Sequence, residues 1–594
     1  MASKRTLIQL LINVMNQCGI AEDIIFTKNN NDYSGVSRYS LLNAAFCFKN
    51  FFSELKLKEK SNIAVISENR VEWIMTDMAC MLSSNINVPV YPSLSAESVK
   101  YILNDCKAEI CFVSNSMQLD KVLSVSKELT DLKYIISFNS TEKKADNVKI
   151  ISFSSVFCDR RKLPQSKLLA SVENISDGIN EDDLLTIIYT SGTTGIPKGV
   201  MLTHKNLYSN LITFPPILEV THKDVFLSYL PFSHIFERTA GYYLPFFCGA
   251  KIYFAQSIDT IGIQMLEVKP TIVITVPRLL DKMYNKLMKS AEEMPRGMRK
   301  RMFFRALDVA RFDGKNKNTL KWRTADKFVF SKIREKTGGR LRLFASGGGA
   351  LNKNIGEFFD GIGIKTIEGY GLTETSPVIS VNRPGSIKYG TVGLPLDGVQ
   401  VKIAEDGEIL AKGDIVMKGY YNSPAETEEA IVNGWFHTGD IGEIDKEGYL
   451  RITDRKKSLF KSSGGKYIAP THIEELVSDL PYVDQVIVIG NERMYVTALI
   501  VPDINELKLL ARKLNLKAEF ETDLFTNPEL RKRIEKDINE SQKSLSTYEK
   551  IRKFSLLQTP FTIEGGELTP TLKIKRKFVE EKYKHLIEKM YIKI

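Results

Sequence analysis

The chain is poor in the residues that build disulfide frameworks and metal centres. Its seven cysteines, an odd number, all fall between Cys18 and Cys248, and none are spaced CxxC. They read as the reduced thiols of a cytoplasmic protein. Six scattered histidines form no HExxH or other zinc spacing. No apolar run approaches the ~18–20 residues of a membrane span. The N-terminus starts basic and turns apolar, but Gln9, Asn13 and Asn16 interrupt the run and no small-x-small cleavage site follows. That predicts an amphipathic helix, not a signal peptide. No nucleic-acid-binding motif is present, so nucleic acid is not expected as a partner. The expectation is a cytoplasmic protein, or one lying on the inner face of a membrane.

What is present is an ordinary globular composition, 43% apolar and 26% charged over 594 residues. At about 150 residues per domain, that length suggests about four structural units. Net charge is +11, and it is unevenly placed: residues 289–340 hold 16 Lys/Arg against 6 Asp/Glu, a balance of +10. This basic insert contains RGMRKRMFFRALDVARF, where cations interleave with Met, Phe and Leu. It reads either as a solvated surface helix pair or as a contact with anionic lipid head groups.

Residues 187–201 read IIYTSGTTGIPKGVM. An apolar, β-branched run leads into a Thr/Ser/Gly stretch ending near Lys198, and a second apolar run follows: strand, flexible loop, strand. Glycine-freed N–H groups, several hydroxyls and one cation make a cradle for phosphate oxygens. It is not a Walker loop, which needs four residues between Gly and Gly-Lys-Ser/Thr and then a helix. Upstream, strands are expected at 62–67, 86–91 and 110–113, and helices at 39–55, 70–83 and 96–106, the last capped by Ser95. That alternation predicts a mainly parallel sheet covered on both faces. Residues 139–182 are weakly patterned and read as a surface excursion.

YTSGTTGIPKG (189–199) resembles the phosphate loop of the adenylate-forming enzymes: acyl-CoA synthetases, peptide-synthetase adenylation domains and luciferases. The resemblance continues along the chain in ISENRVEWIMTDMAC, VPVYPSLSAESVKYILND, LPFSHIFER (230–238), LRLFASGGGALN (341–352), IKTIEGYGLTETSP (364–377), NGWFHTGD (433–440), ITDRKKSLFKSSGGKYIAP and ELTPTLKIKRK (567–577). Leu572, where a Gly commonly stands, together with LPFSHIFER and the basic insert, looks like the long-chain fatty acyl-CoA synthetases. The implied fold is α/β: a large N-terminal domain of layered α/β sheets (1–454) with a small β-rich subdomain, a hinge (455–458), and a small mobile α+β C-terminal domain (459–594).

The resemblance also implies roles. Thr190, Ser191, Gly192, Thr193, Thr194, Gly195 and Lys198 would hold the β,γ-phosphates of ATP. Gly348, Gly349 and Ala350 would line one side of the adenine. Tyr370 would stack on it within Glu368, Gly369 and Gly371, and Thr373 would contact phosphate. Glu374, with Thr194 as a further candidate, would hold Mg²⁺. His234, in a stretch with seven aromatics between residues 229 and 247, would border the nucleotide and an acyl slot. Asp440 and Arg455 would bind the ribose, Lys457 would be the hinge, Gly465 would turn towards the pantetheine channel, and Lys573 would be the catalytic lysine. The implied activity is ATP-dependent activation of a long-chain fatty acid to acyl-adenylate, then transfer to CoA. Two alternatives stay open: an acyl–acyl-carrier-protein ligase, and a nucleotide-binding membrane-surface protein without chemistry. The sequence leaves oligomeric state and chain length open.

Overall fold

The computed structural model describes residues 4–592 apart from 31, 58–59, 159–162, 192–196, 315, 457–458, 464–466, 517–520, 563–564 and 570–573. The chain divides into two compact units. The first is 1–402 with 410–438 and 444–451, and the second is 403–409 with 439–443 and 452–594.

The first unit is built on two large sheets. Among the described residues, one has eight strands. Its centre runs Leu184–Ser191, Ile86–Val90, Asn62–Ile66, Ile110–Val113, Tyr134–Ser137 and Lys149–Ser152, all parallel. The expected strands lie here within a residue of their predicted bounds. Asn62–Ile66, Ile86–Val90 and Ile110–Val113 are buried at every position, the mark of a strand covered on both faces. The helices between them are Val71–Leu82 and Ala96–Asp105, and the Ser95 hydroxyl accepts from the Ser98 N–H as an N-cap should.

The other sheet has nine strands among the described residues. Lys365–Tyr370, Leu343–Ser346, Ile272–Thr275, Val225–Ser228 and Lys251–Phe254 run parallel in that order. Asp23–Asn29 and Asp32–Ser37 extend it as a hairpin. The sequence reading gave only helices before residue 60 and missed this hairpin. Polar residues such as Asp23, Lys28 and Asp32 blur its alternation, since one strand lies at the sheet edge. A second correction concerns 139–182. That stretch holds a strand, Lys149–Ser152, and helices Phe153–Cys158 and Gln165–Asp177. Phe153 and Val156 sit in the main core, so it is not a mere surface excursion. The N-terminal helix Leu7–Cys18 is amphipathic as expected and buries Leu7, Ile8, Leu11, Ile12, Val14 and Met15. No helix among the described residues is long and apolar enough to cross a membrane.

Short strands follow at Gln400–Ile403, Glu408–Lys412, Trp435–Ile444 and Leu450–Arg455, in a five-stranded sheet. The second unit has its own three-stranded sheet of Val483–Ile489, Val496–Pro502 and Ile551–Leu556. Its helices include Pro470–Ser478, Ile504–Lys513 and Pro528–Ser541, and it has its own apolar core around Val486, Ala498, Leu507 and Ile534.

Candidate active site

Four neighbouring parallel strands of the nine-stranded sheet end on the same edge, and three of their carboxyl ends carry stretches that the sequence singled out. Val225–Ser228 leads to Tyr229 and His234, Leu343–Ser346 to the glycine turn, and Lys365–Tyr370 to Thr373 and Glu374, while Ile272–Thr275 lies between them. Ligands of α/β sheets bind outside such strand ends.

The glycine turn is shaped by what packs behind it. Gly347 is buried, and a Cβ there would lie 2.9 Å from the Phe236 ring. No larger residue fits unless the ring shifts. Gly348 follows in a left-handed conformation (φ +78°), and Gly348, Gly349 and Ala350 are exposed at the strand end. The turn is tied to the next strand because Glu368, itself buried, accepts the Leu351 N–H at 2.9 Å. Tyr370 is buried. Gly371 has a Pro377 carbonyl where its Cβ would be, 1.8 Å away, so the GYG bend requires glycine there.

His234 is half-buried, and its Nδ1 accepts the Phe236 N–H at 3.1 Å. That bond leaves Nε2 as the protonated nitrogen of the neutral ring. The Tyr229 hydroxyl exchanges a hydrogen bond with Thr275 at 2.8 Å, across two strand ends. Most aromatics of 229–247 are ordinary core: Phe232, Tyr242, Tyr243 and Phe246 are fully buried, Phe232 and Tyr242 against Trp73. Tyr229, Phe236 and Phe247 stay part-exposed.

A buried charged network, which sequence reasoning missed, fixes this segment. Arg238 pairs with Asp77 and donates to Thr186 (2.8 Å) and Tyr243 (3.0 Å). Tyr243 and Asn87 donate to Asp77 at 2.7 and 2.8 Å. Thr186 lies on the strand that enters the phosphate loop, so the network joins the His234 segment to that strand. The available signal was Glu-Arg inside an apolar run, since buried charges must find partners. Glu237, also fully buried, accepts from Ser228 at 2.5 Å. Burial pushes its carboxyl up to about 8, so at neutral pH it is protonated.

The phosphate-loop strands are Leu184–Ser191 and Pro197–Thr203, antiparallel, with Thr190 opposite Lys198 and Tyr189 opposite Gly199. Strand, loop, strand is the expected order. Gly192, Thr193, Thr194 and Gly195 lie outside the described residues, and of Ser191 only the backbone is described. Lys198 sits 5.2 Å over the Tyr420 ring and 3.9 Å from the Glu426 carboxylate. Tyr420 is placed by the short strand Gly419–Tyr420, which pairs with Pro197–Thr203. Its hydroxyl donates to Glu374 at 2.9 Å, and the Glu374 carbonyl accepts from Met417 at 2.8 Å. The structure therefore brings Lys198 and Glu374 together through Tyr420, a residue the sequence reading did not single out. Burial, with Glu374, Glu426 and Glu429 nearby, drives the Tyr420 phenol far above its ordinary range, so it stays a donor. Glu374 is half-buried and follows Thr373 in the chain. No cluster of three or more metal-ligating side chains exists among the described residues. A lone half-buried carboxylate, Glu374, is a hard oxygen donor of the kind Mg²⁺ takes, unlike the nitrogen- and sulfur-rich sets of a transition metal.

In the second unit Asp440 is buried and Arg455 reaches it, Nε to Oδ1 at 3.3 Å. The preceding Gly439 is left-handed (φ +72°), and its N–H donates to Glu408 at 2.8 Å, which aims the Asp440 backbone. Lys457, Gly465 and Lys573 lie outside the described residues.

The arrangement offers oxygen acceptors and a cation in the first unit and a carboxylate–guanidinium pair in the second. The model of the AMP-binding enzyme family matches residues 21–421, and that of the AMP-binding enzyme C-terminal domain matches 458–594. The long-chain-fatty-acid–CoA ligase FadD15 of Mycobacterium bovis is 32% identical, over 91% of this chain and 89% of its own. Long-chain-fatty-acid–CoA ligase 5 of Rattus norvegicus is 34% identical, over 89% of this chain and 80% of its own. The crystal structure of the anthranilate CoA ligase AuaEII in complex with anthranoyl-AMP shares the fold, with a TM-score of 0.74 at 18% identity over 99% of both chains. This chain belongs to the AMP-binding enzyme family, the adenylate-forming group that its phosphate-loop motif resembles.

Proposed function

We propose that the protein is a long-chain-fatty-acid–CoA ligase. Two half-reactions follow. A fatty-acid carboxylate oxygen attacks the α-phosphorus of ATP, the bond to the β-phosphate breaks, and acyl-adenylate and pyrophosphate form. The CoA thiol then attacks the acyl carbonyl and AMP leaves. The observation that carries the reading is the set of strand-end residues in one order and on one edge, with Lys198, Tyr420 and Glu374 linked, in a chain about one-third identical to long-chain ligases over most of its length.

Catalysis here is positioning and charge neutralisation. Lys198 and the loop hydroxyls hold the β,γ-phosphates, and the turn at 348–350 with Tyr370 takes the adenine. Asp440 and Arg455 take the ribose, His234 borders the nucleotide and the acyl slot, and Lys573 supplies the cation that meets the acyl carboxylate and the α-phosphate. Glu374, with Thr194, would hold Mg²⁺, whose bound charge would neutralise the phosphates. The domain limits 1–454 and 459–594, with rotation about Lys457 that brings Gly465 towards the thiol, belong to the same proposal, and the second family match beginning at 458 supports them. The chain is proposed to work peripherally on an anionic membrane, which the basic insert supports.

The acceptor is tested with palmitate, ATP, Mg²⁺ and either CoA or an acyl carrier protein. Palmitoyl-CoA is expected. Thioester on the carrier protein alone would replace CoA as acceptor, and no thioester with either would remove the ligase reading.

A further inference from the structure

The helix Met298–Asp313 lies in the basic insert and turns only one side to the core, where Phe303, Ala306 and Ala310 are buried. Met298, Met302, Arg305, Val309 and Phe312 are spaced four, three, four and three residues apart, which places them along one other face of the helix. Met298 is 86% exposed, Met302 39% and Phe312 76%. Bare apolar side chains of this size in a row on a surface mark a contact. The helix holds five basic residues against two acidic. Arg299, Arg301 and Arg305 are unpaired with carboxylates among the described residues, and Arg311 lies 5.8 Å over the Phe312 ring. The following helix, Leu320–Ala325, opens on Leu320, 81% exposed.

We infer that Met298–Asp313 is the docking surface for an anionic lipid bilayer. The helix lies in the interfacial plane, Met298, Met302 and Phe312 enter the acyl boundary, and the arginines meet the phosphate layer. This rests on the membrane reading above and names the surface that performs it. Charge alone would serve a nucleic acid or an acidic protein equally. A phosphate backbone, however, has no use for a methionine and a phenylalanine bared between arginines, whereas a bilayer takes both kinds of side chain at once. The adenylate-forming residues lie elsewhere in the sequence, so the surface can be altered without touching them.

The test is flotation of the full-length protein with vesicles of phosphatidylcholine containing 30 mol% phosphatidylglycerol, against phosphatidylcholine alone. Wild type is expected to float only with the anionic vesicles. M298E/F312E and R299E/R301E are each expected to lower the bound fraction at least tenfold, with unchanged circular dichroism and unchanged pyrophosphate exchange on a water-soluble fatty acid. As an independent probe of insertion, the emission of Phe312→Trp is expected to shift to the blue on anionic vesicles. Wild type that ignores anionic vesicles overturns the membrane reading and this inference together. Wild type that binds while both double variants bind equally overturns the surface alone. RNA binding that is lost in R299E/R301E but kept in M298E/F312E, with no vesicle binding, assigns the arginines to nucleic acid and overturns the proposal.

Discussion

At the scale of single residues, Tyr420 makes the most exposed commitment. It touches two groups assigned to the nucleotide, Glu374 by a hydrogen bond and Lys198 through its ring. Tyr420→Phe keeps the ring and deletes the donor. A hydrogen bond to a charged group is worth about 1.5–3 kcal/mol, so kcat for pyrophosphate exchange should fall about tenfold or more, with a higher Mg²⁺ requirement and no change in the unfolding midpoint. Kinetics equal to wild type would mean that Glu374 needs no such support. The Asp77–Arg238 pair predicts the opposite pattern. Asp77→Asn leaves a buried guanidinium uncompensated, which costs about 3–5 kcal/mol and should appear as an earlier urea transition.

Glu237 gives a pH signature. Below about 4.5 both the folded and the unfolded chain hold its proton. As pH rises the unfolded chain releases it first, while the folded chain keeps it until about 8. Its contribution to stability therefore falls across that window, by roughly 4 kcal/mol between pH 5 and 8. Glu237→Gln keeps a partner for Ser228 and cannot ionise. Urea unfolding of the variant should match wild type at pH 5 and be clearly more stable at pH 8. Equal midpoints at pH 8 would show that Glu237 is not held neutral. The buried His204, lowered to about 4, acts on the lower part of the same range in the opposite direction in both proteins, so it cancels in the comparison.

At the scale of elements, the strand ends matter more than the strands. Gly347→Ala would put a methyl against the Phe236 ring. Overpacking of this kind costs about 1–3 kcal/mol, and the ring belongs to the His234 segment, so kcat/KM for ATP and fatty acid should fall about 5- to 100-fold. A full-rate G347A enzyme would show that the turn tolerates displacement. The central strands were legible because Ala64–Ile66 or Cys111–Val113 are apolar without interruption, and Ser95 announces its helix. The hairpin at 23–37 was not, because its side chains are half-wet and Gly35 interrupts it. The strand Lys149–Ser152 and the helix Phe153–Cys158 were hidden by their short lengths, and Gln165–Asp177 by its thin buried stripe of Leu168, Val172 and Ser176. In the site, the glycine and Thr/Ser motifs could be read because the chemistry fixes their spacing. Tyr420 and Asp77 could not, since each acts only through a neighbour that lies 46 or 161 positions away in the chain.

At the scale of the whole molecule, charge and chemistry occupy different stretches. The basic insert carries almost all the net charge, whereas the phosphate-loop strands, the glycine turn and Glu374 lie outside it. Loss of membrane contact should therefore lower turnover of vesicle-borne fatty acid while leaving a soluble fatty acid unaffected. The chain has no nucleophile assigned to it in either half-reaction, so the account requires that acid activation proceed without the thiol. The direct measurement is palmitate-dependent ATP–pyrophosphate exchange in the absence of CoA, with acetate and benzoate alongside. The account predicts exchange with palmitate well above both. Exchange with acetate or benzoate and none with palmitate would contradict the long-chain assignment, and no exchange with any of the three would contradict adenylate formation itself.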